Sequence, residues 1–293
     1  MFKLKVFSTL YSLVLLVAAT HYPLVAQAQT LAKEQVLRFG LAFNDIATLD
    51  PHVAVGSSET PIVMNIYQGL VEFPTGEMNG DKVVAGLAEK WSASPDAKQW
   101  TFELRKGVKW HKGLGEFTSV DVKYSIERVL DKTFGSPFRG SLSNVEQVEI
   151  LGPYTVLVKL KQPDPTFTHL MAGYQAGYMM SSAAAQQKLD PKLSPIGTGP
   201  FEMGGYKPRE SVTLVRNDAF WRGKPIVERI VYQFMPEAST RELALRSNEV
   251  QAIGIQAKQD IVDRLRKGGF FVDLTAPANT FVVYFNLNQK PLE

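Results

Sequence analysis

The chain has 293 residues, no cysteine and a formal net charge of +3, with 45% hydrophobic, 11% aromatic and 21% charged residues. That balance excludes a disordered chain, a disulfide-stapled small domain, a thiolate nucleophile and a cysteine-based metal centre. Its basic residues are spread along the sequence without the density that a nucleic-acid partner requires.

At the N-terminus, Lys3 and Lys5 precede a mostly apolar stretch, Phe7–Ala19, interrupted by Ser8, Thr9 and Ser12. Ala26 and Ala28 place small residues three and one before Gln29, the pattern a signal peptidase accepts. A membrane anchor needs about 20 consecutive apolar residues. This run is shorter, no later segment is long enough, and no cysteine stands at the cleavage point for a lipid anchor. The expectation is an exported chain, cleaved after Ala28 and not membrane-embedded. Residues 29–293 are long enough for about two domains held by their own cores.

Gln35–Ala42 reads as an opening strand, followed by a loop, Phe43–Glu59, that contains Gly56-Ser57-Ser58. Thr60 is then expected to cap a helix with Pro61 at its first position and Ile62, Val63, Ile66, Tyr67 and Leu70 on its apolar face. Between Gly86 and Leu130 the pattern is a short helix, a turn, the alternating strand of Trp100, Phe102 and Leu104, a basic turn, and a helix. Thr118 with Asp121 resembles a capping box, and Val122, Ile126, Val129 and Leu130 form the apolar stripe of that helix. Tyr154–Lys161 alternates again and ends where Pro163 forbids ladder continuation. Ala183–Lys188 is expected to be helical. Val212–Arg216 and Ile226–Met235 read as strands. Ser239 with Glu242 reads as a capping box for a helix over Thr240–Ser247, and Gln259–Lys267 as a second helix with its basic residues late. Phe281–Leu287 is a final apolar strand.

Few residues have the arrangement that chemistry needs. The four histidines, His21, His52, His111 and His169, are isolated in sequence, with no ligand spacing for a metal. Gly197-Thr198-Gly199 lacks the lysine and spacing of a phosphate loop, and reads as a tight turn in which glycine supplies positive φ. No serine sits in a GxSxG elbow, and Val55-Gly56-Ser57-Ser58 does not fit one. Trp91, Trp100, Trp110, Phe220 and Trp221 read as core residues rather than a stacking platform. No catalytic residue, cofactor site or metal site is expected.

Several ordered segments carry a resemblance. They are Gly86-Leu87-Ala88-Glu89-Lys90-Trp91, Ser94-Pro95-Asp96, Trp100 through His111, Phe117-Thr118 with Asp121-Val122, Pro195 through Phe201, and Arg216-Asn217 with Phe220-Trp221. The match continues over Ala238 to Ile253 and Phe285-Asn286-Leu287-Asn288. In this order the chain resembles the family 5 extracellular solute-binding proteins, the dipeptide and oligopeptide receptors of ABC importers. It departs from the family pattern at Ala97 and Asn248, where glycine is usual, at Lys112, where an acidic residue is common, and at Gln251, where many members show aspartate.

The resemblance implies an α/β fold of the periplasmic binding protein type (class II, cluster C), with two lobes that close over a ligand. After the signal peptide read at 1–28, it implies a discontinuous first lobe at 29–71 and 196–276, and an inserted small α+β domain at 72–195. Residues 277–293 would cross into a second lobe, so the chain resembles an N-terminal fragment. It further implies a monomeric periplasmic receptor that takes a peptide or other small molecule to an inner-membrane permease and its ATPases. Gly56, Ser57 and Ser58 are the candidate ligand contacts. An exported hydrolase, or a truncated chain without a transport role, are the alternatives. For the leader, the expected outcome is direct: N-terminal sequencing of the exported protein should begin at Gln29, and retention of Met1–Ala28 would refute the cleavage site.

Overall fold

The computed structural model describes residues 34–56, 59–74, 80, 82–256 and 258–273. The leader and the strand expected at Phe281–Leu287 lie outside these residues.

In chain order, the first strand β1 (Val36–Leu41) leads through a long loop to helix α1 (Thr60–Ile66) and a short strand β2 (Val71–Glu72). Strand β3 (Val84–Ala85) pairs antiparallel with β2. Strands β4 (Ala88–Ala93) and β5 (Gln99–Leu104) form a hairpin. A 3-10 turn at His111–Gly113 precedes helix α2 (Ser119–Leu130). Strands β6 (Val145–Gly152) and β7 (Thr155–Leu160) complete a four-stranded antiparallel sheet of order β4-β5-β7-β6. Two short helices follow, α3 (Phe167–Ala172) and α4 (Ser182–Gln186). Then come β8 (Phe201–Lys207), β9 (Ser211–Arg216), β10 (Arg229–Phe234), helix α5 (Ala238–Arg246), β11 (Ala252–Ile253) and helix α6 (Gln259–Lys267).

The second large sheet has the order β11-β1-β10-β9-β8. In it β1 runs parallel to both β10 and β11, while β10, β9 and β8 alternate in direction. Each large sheet backs a separate apolar core. One gathers Phe102, Val122, Ile126, Val156, Val158 and Phe167, and the other Leu49, Ile62, Ile66, Tyr67, Val212 and Leu214. The period-2 pattern in β5 and β7 arises because Trp100, Phe102, Val156 and Val158 face the first core beneath α2.

Two capping expectations fail. Helix α1 is preceded by Glu59, with Thr60 already helical; the Glu59 carboxylate instead accepts the Ala47 N–H at 2.9 Å. Helix α5 begins at Ala238 after Glu237, so Ser239 lies within its first turn. At α2 the Thr118 N–H does donate to Asp121 Oδ2, at 3.0 Å. That buried carboxylate also accepts from Trp110 Nε1 (3.3 Å) and from the Ser182 N–H and hydroxyl (2.9 and 2.8 Å), tying α2 to the loop before it and to α4. The short helix expected after Gly86 is strand β4, because Lys90 through Ala93 find ladder partners in Glu103 through Trp100. Tertiary pairing overrides a weak local preference there.

Gly197 and Gly199 differ from expectation in an informative way. Neither has a positive φ. Their segment presses against the end of α1, and a Cβ on Gly197 would lie 1.8 Å from the Ile66 carbonyl oxygen. A helix leaves its last carbonyls without partners, and the Gly199 N–H donates to Ile66 O at 2.9 Å. His111 locks the same segment: its backbone N–H donates to Gly197 O (2.9 Å), the Gly197 N–H donates to Nδ1 (3.2 Å), and Nε2 bonds to Gly199 O (3.0 Å). Positive φ appears instead at Ala97 (53°), Lys112 (58°) and Asn248 (60°), three of the four positions where the chain departs from the family pattern. The turns are kept, and Ala97 carries strain of about 1 kcal/mol that glycine would not.

Gly197→Ala should therefore destabilise the protein by more than about 3 kcal/mol, beyond ordinary overpacking, because the obstacle is backbone rather than a movable side chain. Gly140→Ala, where nothing lies within 4 Å of the added carbon, should cost little. Comparable urea midpoints for the two variants would refute the close approach.

Candidate functional site

The loop from β1 to α1 is pinned at several points. Asp45 Oδ1 accepts the Tyr206 hydroxyl at 2.7 Å and the Ile46 N–H at 2.9 Å. Asp50 forms a two-point ion pair with Arg128 of α2, Oδ1 to Nη1 at 3.0 Å and Oδ2 to Nη2 at 2.5 Å. The Arg128 guanidinium also stacks on Phe134, 3.7 Å from the ring centre, and donates to His52 Nδ1 at 3.1 Å. His52 is fully buried, and its Nε2 donates to Tyr178 O at 2.8 Å. Removing one partner of such a buried pair costs about 3–5 kcal/mol, since the other charge is left uncompensated.

Between these anchors and α1 the loop rises to Val55, which is 69% exposed, and half-buried Gly56. Gly56 thus lies on a pinned loop, three residues before Glu59, which precedes α1. Ser57 and Ser58 lie outside the described residues.

A feature the sequence did not reveal lies at the carboxyl ends of the parallel strands. The loops leaving β1, β10 and β11 border an open cavity of about 560 Å³, lined by residues that include Ala42, Glu237, Arg241, Gly254, Lys258 and Ile261. Ligands of open α/β sheets settle outside the carboxyl ends of the strands, where chain connections diverge. The residues come from three distant stretches, so only the sheet order β11-β1-β10 brings them together.

The aromatic residues divide. Trp100 and Trp110 are core residues, whereas Trp91, Phe220 and Trp221 are only partly buried. Trp221 contacts the guanidinium groups of Arg105 (4.2 Å) and Arg222 (4.4 Å) and donates Nε1–H to Gln68 Oε1 at 2.8 Å. Arg222 goes on to Glu72 at 2.6 Å. These contacts fasten the Trp221 loop to the β2 segment. Among the described residues no three His, Asp or Glu side chains gather as metal ligands, and no helix is long and apolar enough to cross a membrane.

The family model for bacterial extracellular solute-binding proteins, family 5 (middle) matches residues 82–293. The chain belongs to this family. It is 31% identical over 252 residues to the dipeptide-binding protein of Escherichia coli (strain K12), covering 78% of this chain and 46% of that relative. The glutathione-binding protein GsiB of the same strain is 29% identical over 276 residues, covering 92% and 51%. Among solved structures, the solute-binding protein MoaA from A. tumefaciens R10, in complex with mannopinic acid, superposes with a TM-score of 0.78 at 34% identity, over 80% of this chain and 48% of that one. DppA from Helicobacter pylori, in complex with the peptide STSA, gives 0.71 at 28% identity, over 79% and 48%. The fold is that of a periplasmic binding protein, and the chain spans about half the length of the relatives it matches.

The two buried histidines make acid sensitivity testable. Burial holds His52 down at about 4, with Asp50 opposing that shift and Arg128 reinforcing it. Burial likewise lowers His111. Below about pH 6.5 the unfolded chain binds protons that the folded chain refuses, so stability falls as pH drops from 6.5 towards 4, by up to about 3 kcal/mol for His52. His52→Asn should flatten the dependence of the urea midpoint on pH between 6.5 and 5, above most carboxylate titration. An unchanged slope would refute a neutral His52.

Proposed function

We propose that the chain is the ligand-capturing part of a periplasmic receptor of an ABC importer, for di- or oligopeptides or chemically similar solutes. The observation that carries this reading is family membership over residues 82–293 together with a cavity at the carboxyl edge of the parallel strands. Relatives named for dipeptides, di/tripeptides and glutathione support a peptide-like solute. The ligands named for MoaA and AgaA, mannopinic and agropinic acid, widen the class to other organic acids.

On this reading residues 29–71 and 196–276 form one lobe, 72–195 an inserted domain, and 277–293 the passage towards a second lobe. Gly56, Ser57 and Ser58 contribute ligand contacts, and the opposing lobe closes over the solute. The receptor is exported by cleavage after Ala28, acts as a monomer, and hands its solute to a membrane permease driven by ATPases. It performs no covalent chemistry.

One wall buries little of a small solute and leaves its charges partly unpaired. Residues 1–293 alone should therefore bind alanyl-alanine only in the millimolar range by calorimetry, with the peptide recovered intact by mass spectrometry. Micromolar affinity would refute the need for a second wall. Cleavage products that disappear on changing one serine would favour an exported hydrolase. Undiminished peptide import after deletion of the gene would refute the receptor reading.

A further inference from the structure

Arg241 sits in the second turn of α5 and is only 5% exposed. Its side chain runs back towards the start of the helix, as long side chains on helices do. Nε donates to Gly254 O at 2.8 Å, and Nη1 donates to Met235 O and Pro236 O at 2.5 and 2.7 Å. These bonds fix the guanidinium beneath the loops leaving β10 and β11. Nη2 makes no hydrogen bond to a described residue, and no described carboxylate lies within 4 Å of the group. Glu237 acts on it through space without pairing. Carbonyl oxygens satisfy N–H groups but do not neutralise a buried charge, which is costly without an anion.

The cavity that Arg241 lines adds further positive character. Lys258 is a second cation on its wall, against the single carboxylate of Glu237. The first turns of two nine-residue helices, α5 and α6, also open on it, through Ala238 and Ile261. Neither helix has a side-chain hydrogen bond at its N-cap; at α6 the Ile261 N–H already donates to Lys258 O at 3.0 Å, whereas at α5 the N–H groups of Ala238, Ser239 and Thr240 have no hydrogen-bond partner among the described residues and can meet an anion. We propose that Arg241, with Lys258 and the α5 N-terminus, is the subsite that receives the carboxylate of the captured solute. One carboxylate oxygen accepts from Nη2 and the other faces the α5 N–H groups. The remaining volume holds the body of the solute. This deepens the reading of the chain as a solute-binding lobe, and rests on it.

The test is an amide NMR titration of the 293-residue chain with three probes: acetate, alanyl-alanine and alanyl-alaninamide. The amides of Ala238 and Gly254 should shift saturably with the first two. The amidated peptide should bind at least ten-fold more weakly than the acid. Lys258→Gln should weaken the acid several-fold and narrow the gap between acid and amide. Arg241→Lys keeps the charge but not the fork, and should abolish the discrimination. If that variant fails to fold, the acid-to-amide ratio in the wild type and in Lys258→Gln decides. Equal binding of acid and amide, or Ala238 and Gly254 signals that stay still while others shift, overturns the carboxylate subsite and leaves the receptor reading standing. A spectrum that neither peptide perturbs overturns both.

Discussion

The end of α1 against the Gly197–Gly199 segment is the contact on which the rest of the molecule turns. A helix terminus needs partners for its last carbonyls, and here an incoming backbone supplies one at a distance that no Cβ tolerates. His111 grips the same segment through three bonds and belongs to the chain between β5 and α2, so the contact joins the two cores. Thr198 and Trp221 then meet on the Gln68 side-chain oxygen, bringing the segment after β9 to the same point. An apolar contact could be redistributed among neighbours, but a backbone-to-backbone fit has one solution.

Buried polar groups carry a second layer of specificity. Asp50, His52 and Arg128 hold the loop before α1 to α2, while Asp121 holds the N-terminus of α2 to Trp110 and α4. Such groups stabilise little by comparison with well-packed apolar side chains, because desolvation offsets much of their attraction. Their effect is to allow one arrangement: a shift of α2 by one turn would leave a buried carboxylate and a buried guanidinium without partners. The loop that carries Val55 and Gly56 is therefore held from a fixed base.

The sequence made the local elements legible where one period dominated. Helix α6 appears at the bounds its pattern suggests, and β5, β7 and β9 follow from alternation. Strands β6 and β8 escaped because Val145–Gly152 is broken by charges and Phe201–Lys207 by two adjacent glycines, so neither presents a clean alternation. The roles of Gly197 and Gly199 were misread for a different reason: a glycine chosen for its partner looks the same in sequence as one chosen for its own dihedral angles. Arg241 resembled any basic residue on an amphipathic helix. Its environment is made of carbonyls, which leave no trace in residue identities. The family itself was legible because its ordered segments span both cores, although those residues are scaffold more than site.

The parallel pairing of β1 bears on how the chain acquires its structure. Val36–Leu41 has no sheet neighbour until Arg229–Phe234 and then Ala252–Ile253 arrive, from the far end of the described chain. The antiparallel sheet of β4 to β7, by contrast, closes entirely within residues 88–160. Closing a long loop before any contact rewards it slows assembly. The four-stranded sheet can form early, while β1 waits with its edges open, so the cavity at the strand ends is among the last features to exist.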